Sequence, residues 1–337
     1  MTLFRILTDE PRNTELVPDA LALEPTPNAV FYERSHGPVP NDVNKNLKII
    51  GTTNERTLSL MELQQLPPRT LTTTLECAGN GRTFLHPAIS GTPFLWGGVS
   101  TARWTGVPLA AVIAAAELPP EALELVFWGA DHDAHGEPYG RSLSLGAALH
   151  EDVLLVYAMN EQPLPPNHGG PLRLLVPGWY GMASVKWLQR IEVVDAPFTG
   201  YYQTTKYRYR QTSNELGEAV ATIRVRSLWA YAPDTVFVAG RQAVQGVAWS
   251  GAAAIASVEC SADNGVTWTP ATLAAAPRTS WQRWTWHWDA QPGPATLVCR
   301  ATDALGNTQP LEQWWNVLGY GNNMVQRLPV LVQEETA

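Results

Sequence analysis

The sequence predicts an α+β protein in two parts, a mixed α/β domain over residues 1–217 and a β-sandwich of roughly immunoglobulin type over residues 218–337. Three observations carry this reading. The 337 residues suffice for two domains at about 150 residues each. Before Gly217, strand patterns alternate with short helical ones, the texture of an α/β unit. After it, short alternating strands recur at even spacing, with turn residues between them and no helical period.

Each element has a local cause. Residues 70–76 alternate Leu and Thr, a strand with one buried face, and the run stops at Cys77-Ala-Gly-Asn-Gly81, which a continuing strand does not tolerate. Pro108 sits at the first turn of a helix expected over 109–116, and Pro119-Pro120 stops it. Residues 153–157 and 172–176 read as buried strands ended by turn residues. In the second part, strands are expected over 244–249, 256–261, 266–268, 284–288 and 297–301, with Asn264-Gly265 as a hairpin turn. Nine of the fourteen Trp lie in this part. Such density suits a heavily packed core or a subunit interface, and the core is the commoner use.

Composition removes several functions. With 45% hydrophobic and 16% charged residues, wholesale disorder is excluded. A net charge of −8 without runs of Lys and Arg argues against nucleic acid and anionic membranes as partners. An acidic chain that binds a small anion must do so in a local basic pocket. Cys77, Cys260 and Cys299 make no disulfide scaffold; Cys260 and Cys299 are expected as core thiols, with pairing across the sandwich left open. The first ten residues carry neither an apolar signal region nor a twin-arginine pattern, and no 18-residue apolar stretch occurs. The expectation is a cytoplasmic protein, or a periplasmic one if a leader has been removed.

Cys77 is the residue that asks for chemistry. On local sequence it reads equally as a metal ligand at a strand end and as a small buried hydrophobe. Arg82, five residues on, favours a thiolate by lowering a pKa that is ordinarily about 8.5. Gly79 and Gly81 let the backbone turn sharply and let a bulky ligand approach it. Arg34 and His36 lie in a Pro/Gly-rich loop, His168 just precedes a strand, and Arg173 and Lys186 add positive charge. Singly each is an ordinary surface residue; their joint occurrence with a glycine-loop Cys raises the functional reading.

The stretches FYERSHGPVP (31–40), TLECAGNGR (74–82), STARWTGVPL (100–109), GADHDAHGEPYGRSLSL (129–145), NHGGPLRLLVPGWYGMASVKWL (167–188) and VECSADNGVTW (258–268) together resemble the sulfite oxidase family of molybdenum-cofactor oxidoreductases, over both domains. The resemblance implies a molybdopterin-binding catalytic domain followed by an immunoglobulin-like dimerisation domain, and hence a homodimer. It implies Cys77 as the protein thiolate on molybdenum, a soft donor for a redox metal. It implies cofactor contacts from Tyr32, Arg34, Ser35 and His36, and from Asp131, His168, Arg173, Ser184, Val185 and Lys186. Arg34, Arg82, Tyr207 and Trp96 match the residues around the substrate, where guanidinium forks bind and neutralise an oxyanion. The implied activity is oxidation of sulfite to sulfate by oxo transfer. Without a Cys-x-x-Cys-His run no haem is expected, so electrons go to a separate acceptor, a cytochrome or oxygen.

The chain departs from the family near its C-terminus. In Trp315-Asn-Val-Leu-Gly319, Leu318 stands where the resemblance leads one to expect an arginine facing the substrate. The lysine expected shortly before Trp96 is absent as well; Lys206, Arg208 and Arg210 are the candidates to compensate. Three other readings compete with sulfite oxidation. The same cofactor could reduce an S-oxide, an N-oxide or nitrate; Cys77 with His36 or His168 could form a cysteine hydrolase; or the Trp-rich sandwich could be a noncatalytic binding module. His132 and His135 lack the third neighbour that a zinc site needs.

Overall fold

The structure, a computed structural model, describes residues 2–334. It is mostly sheet. The helices are single turns or little more, namely Leu60–Gln65, Leu109–Ala114, Leu145–Ala148 and Tyr201–Thr204. The expected mixed α/β texture of the first part is therefore corrected toward β. The helix expected over 109–116 stops at Ala114: the Ala116 amide donates to Ile113 O at 2.9 Å, a tighter turn, and Glu117 takes a left-handed φ of 59°. Among the described residues no helix is long and apolar enough to cross a membrane.

Two five-stranded sheets frame the first part. One runs in the order Gln162–Pro163, Leu154–Met159, Val99–Pro108, Arg69–Glu76, with Arg173–Leu175 also on Leu154–Met159. The other runs Arg56–Ser59, Asn46–Ile50, Leu188–Val194, Glu124–His132, Pro138–Ser144. The expected strands 153–157 and 172–176 appear with slightly shifted ends.

The second part is a sandwich of a four-stranded sheet, built around Gly240–Trp249 and Gln282–Ala290, and a five-stranded sheet, built around Gly293–Asp303 and Arg327–Gln333. Trp229, Trp284, Trp286 and Trp288 fill the space between them against Val258, Leu297 and Leu328. The tryptophans do serve the core, though Trp249 and Trp281 join the first part's apolar cluster instead. Cys260 and Cys299 face each other in register as free buried thiols. Asn264 and Gly265 adopt the positive φ of the expected turn. The strand expected at 266–268 is a loop, because Asp263 accepts hydrogen bonds from the Val266 and Thr267 amides and so bends the chain.

The two parts meet at the strand that leads to Cys77. Arg69–Glu76 is an edge strand, and its free side is covered by the second part: the Thr74 amide donates to Thr279 O at 2.9 Å and the Trp281 amide to Thr74 Oγ1 at 2.6 Å. The strand was expected to bury one face; its last four residues are buried on both. That cover explains why.

Candidate active site

Cys77 begins the turn after Arg69–Glu76, and its amide donates to Gly98 O at 2.8 Å. The two glycines that follow make the turn possible for a reason the sequence did not show. A Cβ on Gly79 would meet the Arg82 guanidinium at 2.7 Å, and one on Gly81, at φ 82°, would meet the Trp96 ring at 2.7 Å. The room belongs to side chains of this chain rather than to a bulky ligand.

The Cys77 side faces a polar cavity with about 70 Å³ of free volume. The 31–40 loop contributes Tyr32, Arg34, Ser35 and His36; the segments around 131 and 168–186 contribute Asp131, His168, Arg173, Ser184 and Lys186; Tyr207 closes one side. The structure thus gathers residues separated by up to 175 positions, Tyr32 to Tyr207, into one wall. Arg82, Trp96 and Val185 lie one layer behind it. Arg82 donates to Thr92 O and Leu318 O and lies over the Tyr320 ring, Trp96 stacks on Phe84, and Val185 packs in the core. Neither Arg82 nor Trp96 lines the cavity, although Arg82 Nε is buried without a hydrogen-bond partner. His132 and His135 are exposed and do not line the cavity.

The polar groups are closely fixed. His36 Nε2 and the Tyr207 hydroxyl lie 2.6 Å apart, and His36 Nδ1 lies 3.2 Å from an Arg34 nitrogen. Tyr207 holds a left-handed backbone at φ 52°, a costly conformation for a residue with a side chain. His168 donates to Asn28 O at 2.9 Å, Arg173 to His168 O at 2.8 Å and Ser184 O at 2.9 Å, and Lys186 to Ser35 Oγ at 2.5 Å. No ion pair joins Arg34, Arg82, Arg173 or Lys186 to a carboxylate among the described residues. Asp131 Oδ1 is buried without a hydrogen-bond partner.

Burial sets the titration of the site. It pushes the Asp131 carboxyl up, with Lys186 opposing, and pushes Lys186 down. It lowers His36 well below its ordinary value, and the charges of Arg34, Lys206, Lys186 and Arg82 add to this. Burial also raises the Cys77 thiol, outweighing the downward pull of Arg34 and Arg82. This direction is opposite to the one expected from Arg82 alone. Neither histidine bonds the sulfur, which accepts instead from the Gly79 amide at 3.4 Å. A hydrolase needs its nucleophile beside a base, so that reading lacks its geometry.

Tyr139 and Asn167 also line the cavity, and Arg141 sits buried nearby with its guanidinium 5.6 Å from the centre of the Tyr207 ring. Sequence reasoning missed all three. The signal for two of them was a period of two in residues 138–144, which places Tyr139 and Arg141 on one face.

A soft sulfur donor beside a cavity rich in unneutralised cations defines the class: a metal–cofactor site that handles anions. Comparison with known proteins makes it specific. Residues 36–202 match the oxidoreductase molybdopterin binding domain and residues 219–333 the Mo-co oxidoreductase dimerisation domain. The chain is 33% identical over 357 residues to mitochondrial sulfite oxidase of Rattus norvegicus, covering 97% of this chain and 65% of that protein's length, a little under two thirds. It is 30% identical over 366 residues to sulfite oxidase of Arabidopsis thaliana, covering 96% of this chain and 93% of that one. The sulfane dehydrogenase SoxCD from Paracoccus pantotrophus superposes with a TM-score of 0.84 at 28% identity, covering 96% of this chain and 86% of that one. The chain belongs to the sulfite oxidase family of molybdenum-cofactor oxidoreductases.

The residues present fit such a cofactor. Cys77 offers sulfur, the donor type that soft redox metals take. The unpartnered Asp131 oxygen calls for a hydrogen-bond donor and the guanidinium and ammonium groups without carboxylates for an anion, so a ligand that carries both satisfies the site.

Proposed function

We propose that this protein oxidises sulfite to sulfate by oxo transfer and passes the electrons to a separate acceptor, a cytochrome or oxygen. One observation carries the reading: the cavity joins Cys77 to Arg34, Arg173 and Lys186, none of them in an ion pair with a carboxylate among the described residues. When bound, the molybdenum cofactor supplies two-electron oxo-transfer chemistry that no side chain here offers. Cys77 would be its protein ligand. Tyr32, Ser35, His36, Asp131, His168, Arg173, Ser184 and Lys186 would hold the pterin, with Val185 packing behind that segment.

The chain's own residues then have distinct tasks. Arg34 binds and neutralises the oxyanion through a forked guanidinium, and Arg82 adds positive potential from one layer back. Tyr207, fixed by His36, presents a hydroxyl to the bound anion. The aromatic walls exclude water and strengthen each of these contacts. Trp96 supports the loop rather than touching substrate.

We further infer that residues 1–217 form the catalytic domain and that residues 218–337 form a sandwich of immunoglobulin type that makes a homodimer. The exposed Val236, Val238 and Leu331, on the paired strands Thr235–Val238 and Arg327–Gln333, support a protein partner for that sheet; light scattering tests it. The activity is tested by metal analysis of purified protein together with sulfite-dependent reduction of an artificial acceptor. Assays with an S-oxide, an N-oxide and nitrate run the chemistry backwards. Molybdenum stoichiometric with chain and turnover of sulfite are expected. Protein without molybdenum, or faster turnover in the reductive direction, overturns the proposal.

A further inference from the structure

The loop that carries Cys77 is held from the far side by the second part of the chain. Glu76, immediately before the cysteine, is fully buried, and its Oε1 lies 3.0 Å from Nε of Arg226, itself 1% exposed. The Trp249 indole N–H donates to the other Glu76 oxygen at 2.9 Å. Asn80 completes the ring from within the loop, its Nδ2 donating to Glu76 Oε1 at 3.0 Å while its Oδ1 accepts from the Gly98 amide at 3.1 Å.

The second part also reaches the loop's backbone. The Gly321 amide donates to Ala78 O at 2.8 Å, and Asn322 Nδ2 donates to Gly81 O at 2.8 Å. Arg226 donates to Asn322 O and lies over the Trp96 ring, 5.4 Å from its centre. The residues reaching in (Arg226, Trp249, Gly321 and Asn322) are separated from Cys77 by about 150 to 245 positions.

We propose that Arg226 is a positioning residue for Cys77: through Glu76, with Trp249 and Asn322, it clamps residues 77–82 so that the sulfur faces the cavity. The sandwich is then a working half of the ligand site and not only a means of association. The physical reason is economy of conformations. A turn with two glycines is free to sample many backbone states, and its internal bonds, Asn80 N–H to Cys77 O at 2.9 Å and Arg82 N–H to Gly79 O at 3.1 Å, span only a few residues. A buried carboxylate that must meet a buried guanidinium selects one, because any opening of the loop separates two charges inside a low-dielectric region. The ligand chemistry of Cys77 rests on the function proposed above; the clamp is a statement about the loop and its test needs no turnover.

The test uses the full chain produced without molybdate, in wild type, Arg226→Met, Arg226→Lys and Trp249→Phe forms. Two quantities are read: the alkylation rate of Cys77, with Cys77→Ser as background, and hydrogen exchange of the amides of residues 78–82. Because alkylation requires local opening, Arg226→Met should speed it by about tenfold or more and raise exchange in the loop. Arg226→Lys should recover part of the protection, and Trp249→Phe, which removes one N–H, should give a smaller increase. Exchange in strands 240–249 and 293–303 should stay unchanged, which a general loss of stability would not allow. Wild-type rates in a folded Arg226→Met protein overturn the proposal. If Arg226→Met does not fold, Trp249→Phe decides: wild-type alkylation and exchange in that variant overturn it equally. Wild-type protein lacking molybdenum when grown with molybdate would sink the proposed function and leave this measurement standing.

Discussion

The two sides of the Cys77 loop treat charge in opposite ways. On the side facing the second part, Glu76 meets Arg226, and both are almost wholly excluded from solvent. On the side facing the cavity, Arg34, Arg173 and Lys186 rest on carbonyls and hydroxyls, and Asp131 keeps an oxygen with no partner at all. Buried charge that finds its opposite within the chain is structural. Buried charge left without one is free to bind something else, and holding it that way costs folding stability. The contrast separates scaffold from site without reference to any relative.

The largest expected effect lies on the loop itself, between the two sides. Cys77→Ser should abolish sulfite turnover while leaving the fold and pterin content largely intact, checked by steady-state assay, circular dichroism and pterin fluorescence after release. A variant with wild-type turnover would show that the sulfur is not a ligand. Next comes stability. Glu76→Gln keeps the size of the side chain and leaves Arg226 without its counter-charge, so the full chain without cofactor should lose about 3–5 kcal/mol in urea denaturation. Arg34→Met, on the cavity side, should change it by only about 0.5 kcal/mol. Equal costs for the two would erase the distinction drawn here.

Histidine 168 gives a third, smaller test. Burial is the main reason its pKa falls to about 4, and Lys186 and Arg173 add to the fall while its bond to Asn28 opposes it. The unfolded chain therefore binds a proton near pH 6.5 that the folded chain refuses until about pH 4. Stability from this group is fully present above pH 6.5 and drains away as pH falls between those values, by about 3 kcal/mol at most. His168→Asn should flatten that part of the curve of stability against pH. An unchanged acid slope would mean that His168 is not neutral in the folded protein.

Legibility in the sequence follows the same division. The alternation of Leu and Thr and the break at Ala-Gly-Asn-Gly were local signals, so the strand and its end could be read directly, while the surroundings of the Cys77 thiol could not. His36, His168 and Lys186 stood out as polar residues in loops, but only the family resemblance implied that they and Tyr32 converge, since nothing in their own neighbourhoods says so. Arg226 and Trp249 were not legible at all. Trp249 looked like an ordinary member of a sandwich strand and Arg226 lay in no expected element; only the packing of one part against the other turns them toward Glu76. Arg82 and Trp96 were placed near the substrate by the family resemblance; the structure sets both against the back of the loop, beside Gly79 and Gly81.

The smallest effect probes the cavity side alone. Leu318 is half-buried, and its carbonyl accepts from Arg82, so a longer side chain at 318 starts close to the existing guanidinium and to Tyr320. Of the three cations suggested to compensate for it, Arg208 and Arg210 are tied to backbone carbonyls at Leu216, Gly217 and Thr204. Lys206 is the one of the three not held by a carbonyl among the described residues, its ammonium lying 5.8 Å from the Tyr201 ring centre. Leu318→Arg should therefore lower KM for sulfite by about tenfold, the size of one added charge contact in a partly screened site, with kcat little changed. The effect should shrink with added salt. It should be absent for a neutral S-oxide, because the added charge rewards only an anion. A KM that is unchanged or higher for sulfite would mean that position 318 does not look into the cavity, and that Lys206 and Arg34 already supply the positive potential the substrate meets.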